Sequence, residues 1–225
     1  MKNLFLVLIA LIVGVSAHAQ TPQSKEALKG EVSAPLSSLR LANNLVCYGY
    51  AQQSALPLIQ ALEIISEIPT QALRGEKEKQ EEKTGEAKEE KVSFDYNKIL
   101  ADAKKFADGN EHLLALISSI EASKAGSNRG AVNGPSRTVE VVYGNSNDNY
   151  QISFVEGRLA EILVSGDGDT DLDLYVYDSK GNLIEKDADY TDDCYVSWIP
   201  AWTGRFTVKV VNRGPVPNRY VLLTN

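Results

Sequence analysis

Two periodicities divide the chain. Up to about residue 134, apolar residues recur every three or four positions, as on one face of a helix; after residue 136 they alternate every second position, as in half-buried strands. Leu41, Leu45 and Tyr48 follow the candidate caps Ser37 and Ser38 and predict a first helix ending near Gln53. Pro57 sits where a first helical turn tolerates proline, so a second helix begins there with Leu58, Leu62 and Ile65 on one face and stops before Pro69. Asp95 caps a third helix with the stripe Tyr96, Ile99, Leu100, Ala103 and Phe106. Gly109 and Asn110 allow a break before a fourth carrying Leu113, Leu116, Ile117 and Ile120. These faces need partners, and a small antiparallel bundle or a pair of helical hairpins supplies them; a partner-binding groove is the alternative.

The period-two segments are short: 138–143, 150–154, 159–165, 172–177, 195–198, 206–211 and 220–223. Turn signals such as Lys180-Gly181-Asn182 and Asn212-Arg213-Gly214-Pro215 separate them, and so many short strands in so little chain predict a compact antiparallel sandwich. The expected fold class is therefore α+β as two domains, an N-terminal helical bundle or hairpins followed by a C-terminal antiparallel β-sandwich.

Two polar stretches mark the boundaries. Residues 74–91 contain seven Glu and six Lys or Arg and nothing apolar larger than Ala, which describes a solvated connector; an electrostatic docking arm is the weaker alternative because the signs nearly cancel. Residues 123–136 are rich in Gly, Ser and Asn and read as the linker between a helical domain at 20–122 and a sandwich at 137–225. At the start of the chain, Lys2, an apolar run to Val15 and Ala17-His18-Ala19 have the order of a secretory signal peptide cleaved after residue 19. An uncleaved anchor is the alternative, but the run is shorter than the roughly 20 residues a spanning helix needs. The expected location is secreted or periplasmic, with no transmembrane segment after cleavage.

Composition removes several function classes. The 225 residues carry a formal charge of −7, which argues against nucleic acid as a partner because phosphate contacts need a basic footprint. Only His18 and His112 are present, with Cys47 and Cys194, so a His- or Cys-rich metal centre cannot be assembled from one chain. No G-x-S-x-G or H-E-x-x-H segment occurs, and His112 stands alone on a helix. Paired carboxylates exist, but glycosidase chemistry needs one of them against an apolar wall, and these look solvent-facing. An enzyme is therefore the minority reading.

The negative charge belongs mainly to the sandwich: from residue 137 there are fourteen acids and eight bases, a net of −6. Asp167, Asp169, Asp171 and Asp173 crowd one segment, and Asp189, Asp192 and Asp193, with Asp187, lie a hairpin away. Carboxylates this close repel unless neutralised, and Ca²⁺, a hard cation with oxygen ligands, neutralises them most directly. The EF-hand template does not apply, since Leu172 stands where its glycine would be. Solvated acids that keep edge strands from pairing are the alternative. Tyr175, Tyr177, Tyr190, Trp198 and Trp202 are candidates for an aromatic contact surface, or else core residues. In an oxidising compartment Cys47 and Cys194 could form one bond stapling helices to sandwich; two buried thiols are the competing reading.

The stretch DTDLDLYVYDSKGNLI, followed by WTGRFTVKVVN and RYVLL, resembles the bacterial pre-peptidase C-terminal domain. Asp171, Asp173 and Leu174 match its acidic strand, Gly204, Phe206, Val208 and Val210 its later strand, and Tyr220 and Leu222 its last, over residues 147–225. The resemblance implies a non-catalytic β-sandwich module, in some members calcium-stabilised, in some binding extracellular polymers. The expected function is thus a secreted binding protein whose partner is an envelope or extracellular polymer, protein or glycan, or another protein. A partner-dependent hydrolase or peptidase-associated factor and a structural envelope protein are the alternatives.

Overall fold

A computed structural model describes residues 24–25, 31–78, 92–126 and 134–225. The expected signal peptide, most of the charged connector and most of the linker lie outside them. No helix among the described residues is long and apolar enough to cross a membrane.

The fold is α+β. In chain order the elements are β1 (Ser24–Lys25), α1 (Ala34–Gln52), α2 (Ala55–Glu67), β2 (Gln71–Ala72), β3 (Gly75–Lys77), α3 (Tyr96–Phe106), α4 (Glu111–Gly126), β4 (Ser136–Val142), β5 (Asn147–Phe154), β6 (Ala160–Ser165), β7 (Leu172–Tyr177), β8 (Leu183–Asp187), β9 (Asp193–Pro200), β10 (Gly204–Asn212) and β11 (Asn218–Thr224). Two sheets face each other, ordered β1-β9-β6-β11-β4-β2 and β3-β5-β10-β7-β8. Alternation sends Ile162, Val164, Cys194, Val196, Trp198, Tyr220 and Leu222 of the first sheet inward against Tyr150, Ile152, Leu174, Val176, Phe206 and Val208 of the second. Phe154, Trp198 and Phe206 meet with ring centroids 4.8–5.9 Å apart.

Four helices form, but α1 starts at Ala34 behind Ser33, so the candidate caps Ser37 and Ser38 lie inside it, and α2 starts at Ala55, two residues before Pro57. Asp95 accepts a hydrogen bond from Lys98 N at 2.9 Å, the expected cap of α3. They do not, however, pack only on one another. Leu36, Leu39, Ala42 and Val46 of α1, with Leu58, Leu62, Ile99 and Ile117, share a buried cluster with Leu163, Val221 and Leu223 from the outer face of the six-stranded sheet. The stripe Leu41, Leu45, Tyr48 is not the one α1 buries: Leu41 is 53% and Tyr48 59% exposed, whereas Leu39, Ala42, Val46 and Gly49 are buried. Both stripes have helical period, and the sheet beneath α1 selects between them.

The connector reading also needs correction at its start. Residues 75–77 are strand β3, paired with β5, and β2 pairs in parallel with β4, so the segment after α2 closes an edge of each sheet. Lys77 Nζ reaches Asp148 at 2.8 Å and Glu140 at 3.0 Å, tying β3 to both sheets. A lysine among surface-like charges thus anchors the sandwich.

Candidate functional site

Strand direction brings the acidic loops to one end of the sandwich. β6 and β8 run toward this end and β7 and β9 leave it, so the β6–β7 loop with Asp167, Asp169 and Asp171 meets the β8–β9 loop with Asp189 and Asp192. The approach is close. A Cβ on Gly166 would run into the Asp192 carboxylate and Asn218, and Gly168 holds φ +86°, where glycine is favoured.

The sequence-predicted calcium ligands lie together at this end but do not form a cage. Among the described residues, no group of three or more His, Cys, Asp or Glu side chains is disposed to hold a metal ion. The carboxylates have other partners. Asp192 Oδ2 accepts from Gly168 N at 2.5 Å. Asp167 accepts from Asp169 N and Arg219 N at 3.3 and 3.2 Å. Asp189 accepts from Thr191 N and Oγ1 at 2.8 and 2.7 Å. Asp173, 4% exposed, accepts from Arg213 Nε at 2.5 Å and from Tyr175 OH at 3.0 Å. Arg213 Nη2 also donates to Tyr175 OH at 3.0 Å, so this guanidinium stands beside the buried carboxylate as a tethered cation. Backbone N–H groups and Arg213 thus already engage the carboxylates of Asp167, Asp173, Asp189 and Asp192.

Among the described carboxylates, Asp171 Oδ1 is buried without a hydrogen-bond partner. Desolvation, then the Asp173 and Asp189 charges, raise the Asp171 carboxyl above the usual range, and Arg213 opposes them. Burial raises Asp192 as well. This end is therefore a strained accumulation of negative charge, relieved locally by Arg213.

The cysteine staple is absent. Both Cys47 and Cys194 are free thiols. They lie on opposite sides of one sheet: Cys194 belongs to the core between the sheets and approaches Leu172 O at 3.0 Å, whereas Cys47 packs in the helix layer and approaches Gly166 O at 3.7 Å. Alternation along β9 turns Cys194 away from α1, as it turns Tyr195 toward the helices. Burial, then the charges of Asp192, Asp167 and Asp193, push the Cys47 thiol up to about 12, so it is not a thiolate at neutral pH.

The aromatic candidates separate. Trp198 is fully buried core and makes no contact surface. Tyr190 is 97% exposed on the acidic loop, while Trp202 lies beside Gly204 in the β9–β10 turn at the other end. At that end a cleft of about 510 Å³, lined by Arg74, Ile152, Phe154, Arg158 and Leu159, stands apart from the acidic loops. Tyr175 and Tyr177 remain together, at i and i+2 on β7, with ring centroids 6.4 Å apart and planes within 18°.

These two tyrosines stand on the outer face of the five-stranded sheet. Their cross-strand partners on β10 are Lys209 and Thr207, which in turn pair with Asn149 and Gln151 on β5; on β8, Lys186 pairs with Tyr175. Because Phe206, Val208 and Val210 point inward, Arg205, Thr207 and Lys209 point out. The helices seal the other sheet's outer face. The surface carrying Asn149, Gln151, Thr207, Lys209, Tyr175 and Tyr177 has no such cover among the described residues. Sequence reasoning missed the amides and lysines because each is an ordinary polar residue in a strand; only register assembles them.

No family model matches the chain, and no curated protein matches it. Among solved structures, it is similar to the pre-peptidase C-terminal domain of collagenase from Bacillus anthracis, with a TM-score of 0.33 and 12% identity over 40% of this chain and 88% of that one. It is also similar to PliG of Aeromonas hydrophila, a periplasmic inhibitor of g-type lysozyme, with a TM-score of 0.31 and 14% identity over 40% and 86%. A third is the CBM36-1 domain of a xylanase from the hindgut metagenome of Trinervitermes trinervoides, with a TM-score of 0.25 and 18% identity over 37% and 74%.

Proposed function

We propose that this protein is an exported, non-catalytic binding module whose ligand surface is the open face of the five-stranded sheet. One observation carries the reading: of the sandwich's two outer faces, one is covered by the helices through Leu163, Val221 and Leu223, and the other, uncovered among the described residues, carries a parallel tyrosine pair among amide, hydroxyl and amine side chains. A flat row of aromatic and hydrogen-bonding groups suits an extended polymer, glycan or polypeptide, which stacks on the rings and is held by side donors. Tyr175 is pre-organised for this, since Asp173 and Arg213 both hold its hydroxyl. The N-terminal segment of Lys2, the apolar run and Ala17-His18-Ala19 supports export.

The test is co-sedimentation of the full chain with insoluble envelope polymers, comparing wild type with Tyr177→Ala. The substitution alters the open face and leaves the inter-sheet core intact. The expected result is retention of wild type and loss of retention by the variant with an unchanged melting temperature. Equal retention of both would overturn the assignment of this face.

A further inference from the structure

The open face is basic on one side, although the sandwich as a whole is acid. Arg205 and Lys209 point outward from β10, and Lys186 from β8. None of the three joins an ion pair among the described residues. The acids on this face are committed or distant. Asp173 is held by Arg213, and Glu76 and Glu78 lie on the far β3 edge, where Glu78 accepts from Asn149 and Gln151 at 3.1 and 2.8 Å. With strands about 4.8 Å apart, that edge lies about 14 Å from the Tyr175 strand.

Register sets the arrangement. Lys209 and Lys186 are the cross-strand neighbours of Tyr175 on its two sides, so an aromatic ring stands between two ammonium groups about 10 Å apart at the backbone. Arg205 extends the positive row about 13 Å along β10 from Lys209, past Thr207, which pairs with Tyr177. Cations with no acid partner, flanking aromatic rings on a half-exposed sheet, attract a ligand that offers both a ring to stack and a negative charge beside it.

We infer that the ligand of the open face is an anionic polysaccharide, a chain of sugar rings bearing carboxylates, with rings on Tyr175 and Tyr177 and carboxylates at Lys186, Lys209 and Arg205. This rests on the assignment of the open face as the binding surface and adds the ligand's class. A single-stranded nucleic acid offers the same pair of groups. Oligothymidylate is therefore one of the probes below, where it separates phosphate from carboxylate recognition.

Affinity electrophoresis and calorimetry of the full chain decide the matter, with polygalacturonate, neutral xylan and oligothymidylate as probes. Polygalacturonate is expected to bind in 20 mM salt and to weaken about tenfold or more in 300 mM, as screening predicts. The double variant Lys186→Gln/Lys209→Gln is expected to lose about tenfold at low salt, and Tyr177→Ala also to bind more weakly, with melting temperatures unchanged. Xylan bound as tightly as polygalacturonate, with sensitivity to Tyr177→Ala but not to the double variant, overturns the anionic class and keeps the face. Oligothymidylate bound more tightly than polygalacturonate overturns the ligand class. Polygalacturonate binding indifferent to all three substitutions, or no binding of any probe, overturns both this inference and the reading beneath it.

Discussion

At the residue scale the acidic end turns on Asp171, Asp173 and Arg213. Asp173 is buried yet satisfied, because Arg213 and Tyr175 both donate to it, whereas Asp171 keeps a buried oxygen with no partner. Raised above its unfolded value, the Asp171 carboxyl binds its proton more tightly in the folded state. It favours folding below the ordinary aspartate range, and that contribution is lost as pH rises through the raised value. Asp171→Asn is therefore expected to raise the melting temperature at pH 7, with the gain shrinking to nothing near pH 3, as read by thermal melts across pH. Arg213→Met removes the tethered cation from a buried carboxylate. It should lower the melting temperature, and millimolar Ca²⁺ should recover part of the loss in the variant while leaving wild type unchanged. A calcium-induced rise in the wild-type melting temperature would show that the ion displaces the guanidinium.

At the element scale, α1 is held to the sandwich by a buried polar contact as well as by apolar packing. Glu161 on β6 is 1% exposed, and its Oε1 accepts from Ser33 N, at the start of α1, and from Tyr195 OH, each at 2.8 Å. Glu161→Ala strips both donors of their acceptor. Both donors are partly exposed, so water recovers part of each bond, and an overall loss on the order of 1–3 kcal/mol is expected in urea denaturation. Cys47, further along the same helix, lies on the opposite side of the sheet from Cys194. Alkylation of the unfolded, non-reduced protein should therefore modify both cysteines, and mass spectrometry would find no linked peptide pair.

At the scale of the whole molecule, the helices act as the lid of one sheet. Burial of Leu163, Val221 and Leu223 beneath them contributes about 1.5–3 kcal/mol for each side chain. A fragment of residues 134–225 would expose these three together with Val139 and Tyr195, and it would lose β1, β2 and β3 from its edges. It is expected to bind a hydrophobic dye strongly and to melt well below the full chain, whereas full-chain protein binds little dye. Matching melting temperatures would mean that the sandwich is self-sufficient.

The amino-acid sequence by itself determined what depends on local pattern. The switch from a 3.6 to a two-residue period placed four helices before a β-sandwich, Asp95 announced the cap of α3, and the clustering of aspartates near residues 167–193 was plain in the text of the chain. Tertiary structure decided whatever depends on which face meets which neighbour. Leu41 and Tyr48 repeat as regularly as Leu39 and Val46, and only the sheet under α1 distinguishes them. Asp173 looks like a calcium ligand until Arg213, 40 residues later, arrives beside it. Lys186, Lys209 and Tyr175 become one surface through strand register. Periodicity is encoded between neighbours in the chain; pairing across strands and layers is encoded only in the sum of burial and hydrogen bonding over the whole fold, which no local window contains.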